Sequence, residues 1–309
     1  MNRLRLLLLL LTLCGLSAPA QAHQLRGLPA LNVAALATST EELFVAGFDE
    51  GLFIVGPDGN ARRFQDPALS PHINALSWSE STRTLWLGTA RGLVGCELIR
   101  AARCRRVGPT SAVHALLQLD AGSLLGGGDA GLTFVDQRGA RVFGKKQSAP
   151  FRSVWALAVA AGRLYVGTTN GLFWGAPEAF APGGASLGRA SLVSGNLPDD
   201  WVTALLPQKD RLFVGTYNAG VVSFTLGTKQ PSSEASDVAL GYVNPAGLSA
   251  LGDDRLAVAS MDGLHTGTLS ATVRVATRGR DITAIVPAKA GGYWVGTRQG
   301  VEWLATLAP

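Results

Sequence analysis

Apolar and polar positions alternate along most of this chain in runs too short for helices, and one arrangement keeps returning. In Leu164-Tyr165-Val166-Gly167-Thr168-Thr169-Asn170-Gly171-Leu172-Phe173, an apolar run meets a small polar turn and a second apolar run. Val, Tyr, Phe and Leu suit a half-buried pleated surface, and Asn170-Gly171 tolerates the positive φ of a tight turn, so the stretch predicts a β-hairpin. Seven such hairpins can be aligned, closing at Gly51, Gly92, Gly131, Gly171, Gly220, Gly263 and Gly300, with spacings of 41, 39, 40, 49, 43 and 37 residues. Upstream of each lies a short Val/Ile-x-Ala-Leu-like strand, at residues 33–36, 73–76, 113–116, 154–157, 202–205, 248–251 and 282–285. Its small alanine suits an inner strand, where blades converge on an axis. Downstream comes a polar fourth strand, such as Ala61-Arg62-Arg63-Phe64, as an outer edge allows. A period near forty without helices predicts an all-β, seven-bladed β-propeller of four-stranded antiparallel blades.

The seventh copy ends too soon for a fourth strand. Residues 24–28 are expected to complete that last blade beside residues 301–304 and so to close the ring. Two connections are long, residues 176–189 and 228–237. Both follow a third strand, which places them on the face opposite the hairpin turns.

The first 22 residues follow a different rule. Arg3 and Arg5 precede an apolar stretch and Ala20-Gln21-Ala22, the pattern of a secretory signal peptide cleaved after Ala22, which leaves one domain over residues 23–309. A lipid anchor on Cys14 is the competing reading. No later apolar run is long enough to cross a bilayer, so the product is expected to be periplasmic or secreted. Removing Arg3 and Arg5 takes the charge from 27 cationic against 22 anionic residues to 25 against 22, a net of +3. Short clusters such as Arg103-Cys104-Arg105-Arg106 and Lys145-Lys146 read as solvated surface, and no nucleic-acid partner is expected. Cys96 and Cys104 are the two cysteines beyond the leader and are expected to form a disulfide. Without a CxxC pair, and with 4 scattered histidines, neither a metal site nor a cofactor is expected.

Hairpin turns and inner-strand entrances should ring one mouth of the central channel, the default binding site. Blades one, three and five have three residues before the closing glycine, so Phe48, Asp129 and Tyr217 should project furthest, with Asp49, Arg91, Asn170 and Arg298 on neighbouring turn positions. His72, Trp201 and Asp281 sit at strand entrances; Asn74, His114 and Trp155 lie on the inner strands nearby. Polar and aromatic groups converging in this way suit a small molecule, a glycan, a peptide or a partner protein. Enzyme chemistry has less support, because the carboxylates come from separate blades.

Trp86-Leu87-Gly88-Thr89, Tyr165-Val166-Gly167-Thr168 and Trp294-Val295-Gly296-Thr297, each followed by x-x-Gly and an apolar residue, resemble the two-component regulator propeller repeat. Residues 196–205, beginning Asn196-Leu197-Pro198-Asp199, resemble the linker and inner strand of that family, and the resemblance covers residues 24–304. It implies an extracytoplasmic ligand-sensing propeller. The sequence carries no transmembrane helix or signalling domain after the propeller, so the expectation is a freestanding binding propeller, free or acting through a separate envelope or sensor protein. A propeller-type glycan lyase or hydrolase, and an envelope scaffold, are the alternatives.

Overall fold

The computed structural model describes residues 25–98, 103–120, 122–143, 153–180, 187–191, 193–227, 233–235, 240–252, 255–275, 277, 281–289 and 291–307; residues 233–235 and 272–274 are described by backbone alone. The expected leader, Cys14 included, lies outside them, as does most of the 228–237 connection.

Seven antiparallel sheets follow one another as meanders, six of four strands and the last of three. The chain is thus a seven-bladed β-propeller. Each inner strand touches those of its two neighbours, and Val33–Thr38 of blade one meets Ile282–Pro287 of blade seven. The core lies between blades rather than in a single centre. Phe44 and Ile54 pack with Leu85 and Leu87 of the next blade, and Tyr165 and Trp174 with Leu212 and Val214.

The recurring Gly-Thr has two separate physical causes. A Cβ on the glycine would collide with the first valine of the next inner strand: Gly127 with Val154, Gly167 with Val202 at 2.5 Å, Gly215 with Val243 at 2.7 Å and Gly296 with Val33 at 2.6 Å. The threonine hydroxyl, or Ser260 in its place, donates to the carbonyl of the closing glycine: Thr89 to Gly92 at 2.8 Å, Thr168 to Gly171 at 2.8 Å, Thr216 to Gly220 at 2.9 Å, Ser260 to Gly263 at 2.9 Å and Thr297 to Gly300 at 3.0 Å. The glycine sets blade spacing; the hydroxyl ties the turn.

The Gly296–Val33 contact closes the ring in the same way that its counterparts join sequential blades. The expected pairing of residues 24–28 with residues 301–304 is not the one observed. Arg26 instead exchanges backbone hydrogen bonds with blade one, donating to Gly59 O at 2.9 Å and accepting from Ala61 N at 2.7 Å, in a parallel bridge to Asn60. Leu25 and Leu28 pack in the cluster that holds Phe53 and Trp294, filling the wedge between blades one and seven. The segment covers the seam with its side chains, and its backbone is spent on blade one.

Cys96 and Cys104 form the expected disulfide, with S–S 2.01 Å, joining directly opposed residues of the third and fourth strands of blade two. In the 176–189 connection, Pro177–Phe180 form a short 3-10 turn that returns Phe180 to the core of blade four. No helix among the described residues is long and apolar enough to cross a membrane.

Candidate functional site

Six inner strands, that of blade one between Val33 and Ala35 included, share an irregularity that decides where their side chains point. Pairing with the second strand shifts by one residue between Ile73 and Ala75, Val113 and Ala115, Val154 and Ala156, Val202 and Ala204, and Ile282 and Ala284. A β-bulge of this kind re-aims one side chain per strand. The bulged residues are Ala34, Asn74, His114, Trp155, Thr203 and Thr283, all at the turn-bearing end. Just before each strand, the entrance residue is bonded to the turn in four blades: Asn32 O accepts from Phe48 N at 2.8 Å, His72 O from Ala90 N at 3.1 Å, Ala112 O from Asp129 N at 3.0 Å and Trp201 O from Tyr217 N at 2.9 Å. Turn and entrance side chains are therefore held as units around one mouth.

Aromatic rings run continuously across four blades of this mouth. His114 stacks on Trp155 with centroids 4.2 Å apart and planes 3° from parallel; Trp155 meets Trp201 edge-on at 5.4 Å; Trp201 stacks on Tyr217 at 4.2 Å; Tyr217 meets Tyr242 edge-on at 4.8 Å. Between blades one and two, Phe48 lies 3.9 Å from His72, centroid to centroid. Carboxylates flank the arc: Asp49 lies 3.3 Å from His72 and Asp129 lies 3.1 Å from His114, while Asp281 forms an ion pair with Arg298 at 3.0 Å. Ser153 donates to Asp129 at 3.4 Å from a left-handed backbone with φ 44°. Asp199 fixes the turn of blade five by accepting from Asn218 N at 2.7 Å and Trp201 N at 3.1 Å. Burial pushes the Tyr242 phenol pKa upward, Tyr217 adds to the shift, and Arg298 opposes it.

Of the expected site residues, Phe48, Asp49, His72, His114, Asp129, Trp155, Trp201, Tyr217, Asp281 and Arg298 are drawn into these contacts. Arg91 is exposed on the turn of blade two. Asn74 and Asn170 are engaged in the scaffold: Asn74 donates to Val113 O of the next blade at 3.0 Å, and the Asn170 side chain accepts from Thr168 at 2.8 Å.

Two corrections follow from register. Blade three does not have a long turn, because Gly128 pairs with Gly131 and only Asp129-Ala130 lie between. Asp129 reaches the mouth through its contact with His114, not through loop length. In blade six the inner strand is Val243–Gly252, starting earlier than residues 248–251, with pairing interrupted between Val243 and Leu248. That shift puts Tyr242 at the entrance, a ring the sequence reading missed. The signal for it was a Val before the irregular Asn244-Pro245-Ala246-Gly247 stretch.

A concavity of about 820 Å³ opens on the opposite face between blades one and seven, lined by Leu25, Arg26, Leu43, Val55, Lys289 and Trp294 among others. None of the expected site residues lines it. Among the described residues no group of three or more His, Cys, Asp or Glu could hold a metal ion.

No family model matches the sequence, and no curated protein matches it. Solved structures do. The extracellular domain assigned to a one-component system, BT4673, of B. thetaiotaomicron superposes with a TM-score of 0.72 at 19% identity, covering 90% of this chain and 38% of that one. The extracellular domain assigned to a hybrid two-component system, BT3049, of the same organism gives 0.72 at 16% identity, covering 91% and 40%. PorZ, an essential surface component of the type-IX secretion system of Porphyromonas gingivalis, gives 0.67 at 17% identity, covering 91% and 38%. The chain spans about two-fifths of the length of these proteins. At these identities the likeness establishes the fold.

Proposed function

We propose that this chain is an exported binding module whose turn-bearing mouth takes an oligosaccharide, free or on behalf of a separate envelope or sensor protein. The observation that carries the reading is the continuous aromatic arc from His114 to Tyr242, flanked by Asp129 at one end and by Arg298 and Asp281 at the other. A sugar offers apolar C–H faces to aromatic rings and hydroxyls to carboxylates, and an arc of rings with charged groups at both ends answers both needs. Binding rather than turnover suits the carboxylates, since Asp49, Asp129 and Asp281 are each engaged by a cationic or imidazole partner. The extracellular settings of the B. thetaiotaomicron neighbours support an exported location.

The test is titration with an oligosaccharide panel, followed by quenching of tryptophan fluorescence. Tyr217, 37% exposed at the rim, can be removed without opening the core. Tyr217→Ala should weaken the best ligand about tenfold, the loss of one aromatic contact. Quenching by peptides with none by any oligosaccharide would overturn the sugar assignment. Turnover of a glycan that survives Asp49→Asn, Asp129→Asn and Asp281→Asn together would show chemistry at some other site.

A further inference from the structure

The outer strands of blades one, two and three, Ala61–Phe64, Arg103–Val107 and Gly139–Phe143, carry six arginines and no carboxylate. Their placement is regular. Arg62 opposes Ile54, Arg105 opposes Gly95 and Arg141 opposes Phe134, so all three face the third residue beyond the closing glycine of their blade. Arg63 and Arg106 share the next position, opposite Phe53 and Val94. Separated in sequence, these residues become one arc on the rim, repeated blade by blade. Outer strands elsewhere are less basic: Gly188–Ala190 of blade four and Ala271–Val275 of blade six hold one arginine each, Arg189 and Arg274, at the register of Arg63 and Arg106, whereas Ser233–Ala235 of blade five contains Glu234 and Gly300–Leu304, the last strand of blade seven, contains Glu302.

Nearby carboxylates engage only part of this charge. Glu42 lies 3.9 Å from Arg62, which stays 60% exposed, and Asp136 lies 2.7 Å from Arg141, which stays 45% exposed over the Phe134 ring. Glu97 faces Arg103 across the strands, Asp66 accepts from Cys104 N, and Arg106 donates to Ala68 O at 3.0 Å. Discouraging edge-to-edge pairing needs a charge on each outer strand. It does not need one sign gathered on three consecutive blades at one register.

We propose that this arc is a docking surface for a linear polyanionic polysaccharide bearing sulfate or carboxylate groups, independent of the mouth. Guanidinium forks pair with such groups in bidentate fashion. The rim is convex, so a flexible chain can follow the arginines from blade to blade, whereas a flat bilayer meets a convex rim only along a tangent.

The test measures binding of the full mature chain to heparin at several salt concentrations, beside neutral dextran, single-stranded DNA and phosphatidylglycerol vesicles. Heparin should bind and dextran should not. Arg62→Gln, Arg105→Gln and Arg141→Gln combined should weaken heparin binding by about tenfold or more, and flatten the salt slope by about one per arginine removed. Mouth ligand affinity should stay unchanged, and melting should fall only slightly, since the pairs lost to Glu42 and Asp136 are largely exposed. A charge-matched control, Lys209→Gln, Arg255→Gln and Lys289→Gln, should leave heparin binding near the parent value. An equal loss in the control would reduce the effect to net charge and overturn the proposal. So would absence of heparin binding at low salt, or tighter capture of the vesicles or the DNA.

Discussion

Substituting Gly296 tests how the ring is held closed, because the same glycine column spaces the other blades. A Cβ added at Gly296 would lie 2.6 Å from Val33 Cγ1, 3.1 Å from Val33 Cβ and 3.2 Å from Thr283 Oγ1. Comfortable carbon–carbon contact is about 3.5–4.0 Å, so blades seven and one would have to part by roughly 1 Å or Val33 would have to leave its rotamer. Overpacking of this kind costs about 1–3 kcal/mol. Blades one and six show that the column is a matter of fit: they carry Ala46 and Ala259, each in one cluster with the first isoleucine of the next blade, Ile73 or Ile282. Gly296→Ala should therefore destabilise the chain by about 1–3 kcal/mol in chemical denaturation. Val33→Ala alone should cost about 1.5–3 kcal/mol for lost burial and a cavity. Combined, the two should cost less than their sum by about 1 kcal/mol or more, since the alanine at 33 removes the atom that the new methyl strikes. A Gly296→Ala change within 0.5 kcal/mol of the parent, or strict additivity, would refute the steric account of ring closure.

Other outcomes follow from the same structure. Replacing Cys96 and Cys104 by alanine opens a loop of sequence separation 8, which should cost on the order of 2.5 kcal/mol and lower Tm by roughly 5 °C; the parent should show no free thiol when denatured. Tyr242 and Tyr165, whose phenol pKa values burial raises above the ordinary 10.0, stay neutral in the folded chain while the unfolded chain ionises. Their contribution is complete below about pH 10 and is lost as pH rises through the raised values, so Tyr242→Phe should make the alkaline decline of Tm shallower. An unchanged alkaline limb in that variant would place the phenol in water.

The regular parts of the fold were open to direct reading because each blade solves one local problem. Hairpin period, inner-strand alanine and Gly-Thr are short-range patterns, and aligning entrance and turn positions finds most of the residues that meet at the mouth. Reading failed where a repeat lost its markers. In Gly126-Gly127-Gly128 no side chain shows which glycine replaces the threonine, so an alignment along the chain slips by one and gives blade three a longer turn than the pairing of Gly128 with Gly131 allows. In blade six, Asn244 to Gly247 interrupts strand pairing, and the aligned Leu248 concealed Tyr242 as the entrance residue.

Seven hairpin blades, the Cys96–Cys104 disulfide and a candidate mouth are legible along the chain, because these depend on residues within about forty positions of each other. Tertiary structure alone decided the rest. Which blade takes Arg26, how five rings join into one arc, and how arginines from three outer strands fall at one register all depend on distances between blades. Those distances are set by packing, with valine against glycine at most junctions, and no local pattern in the chain records them.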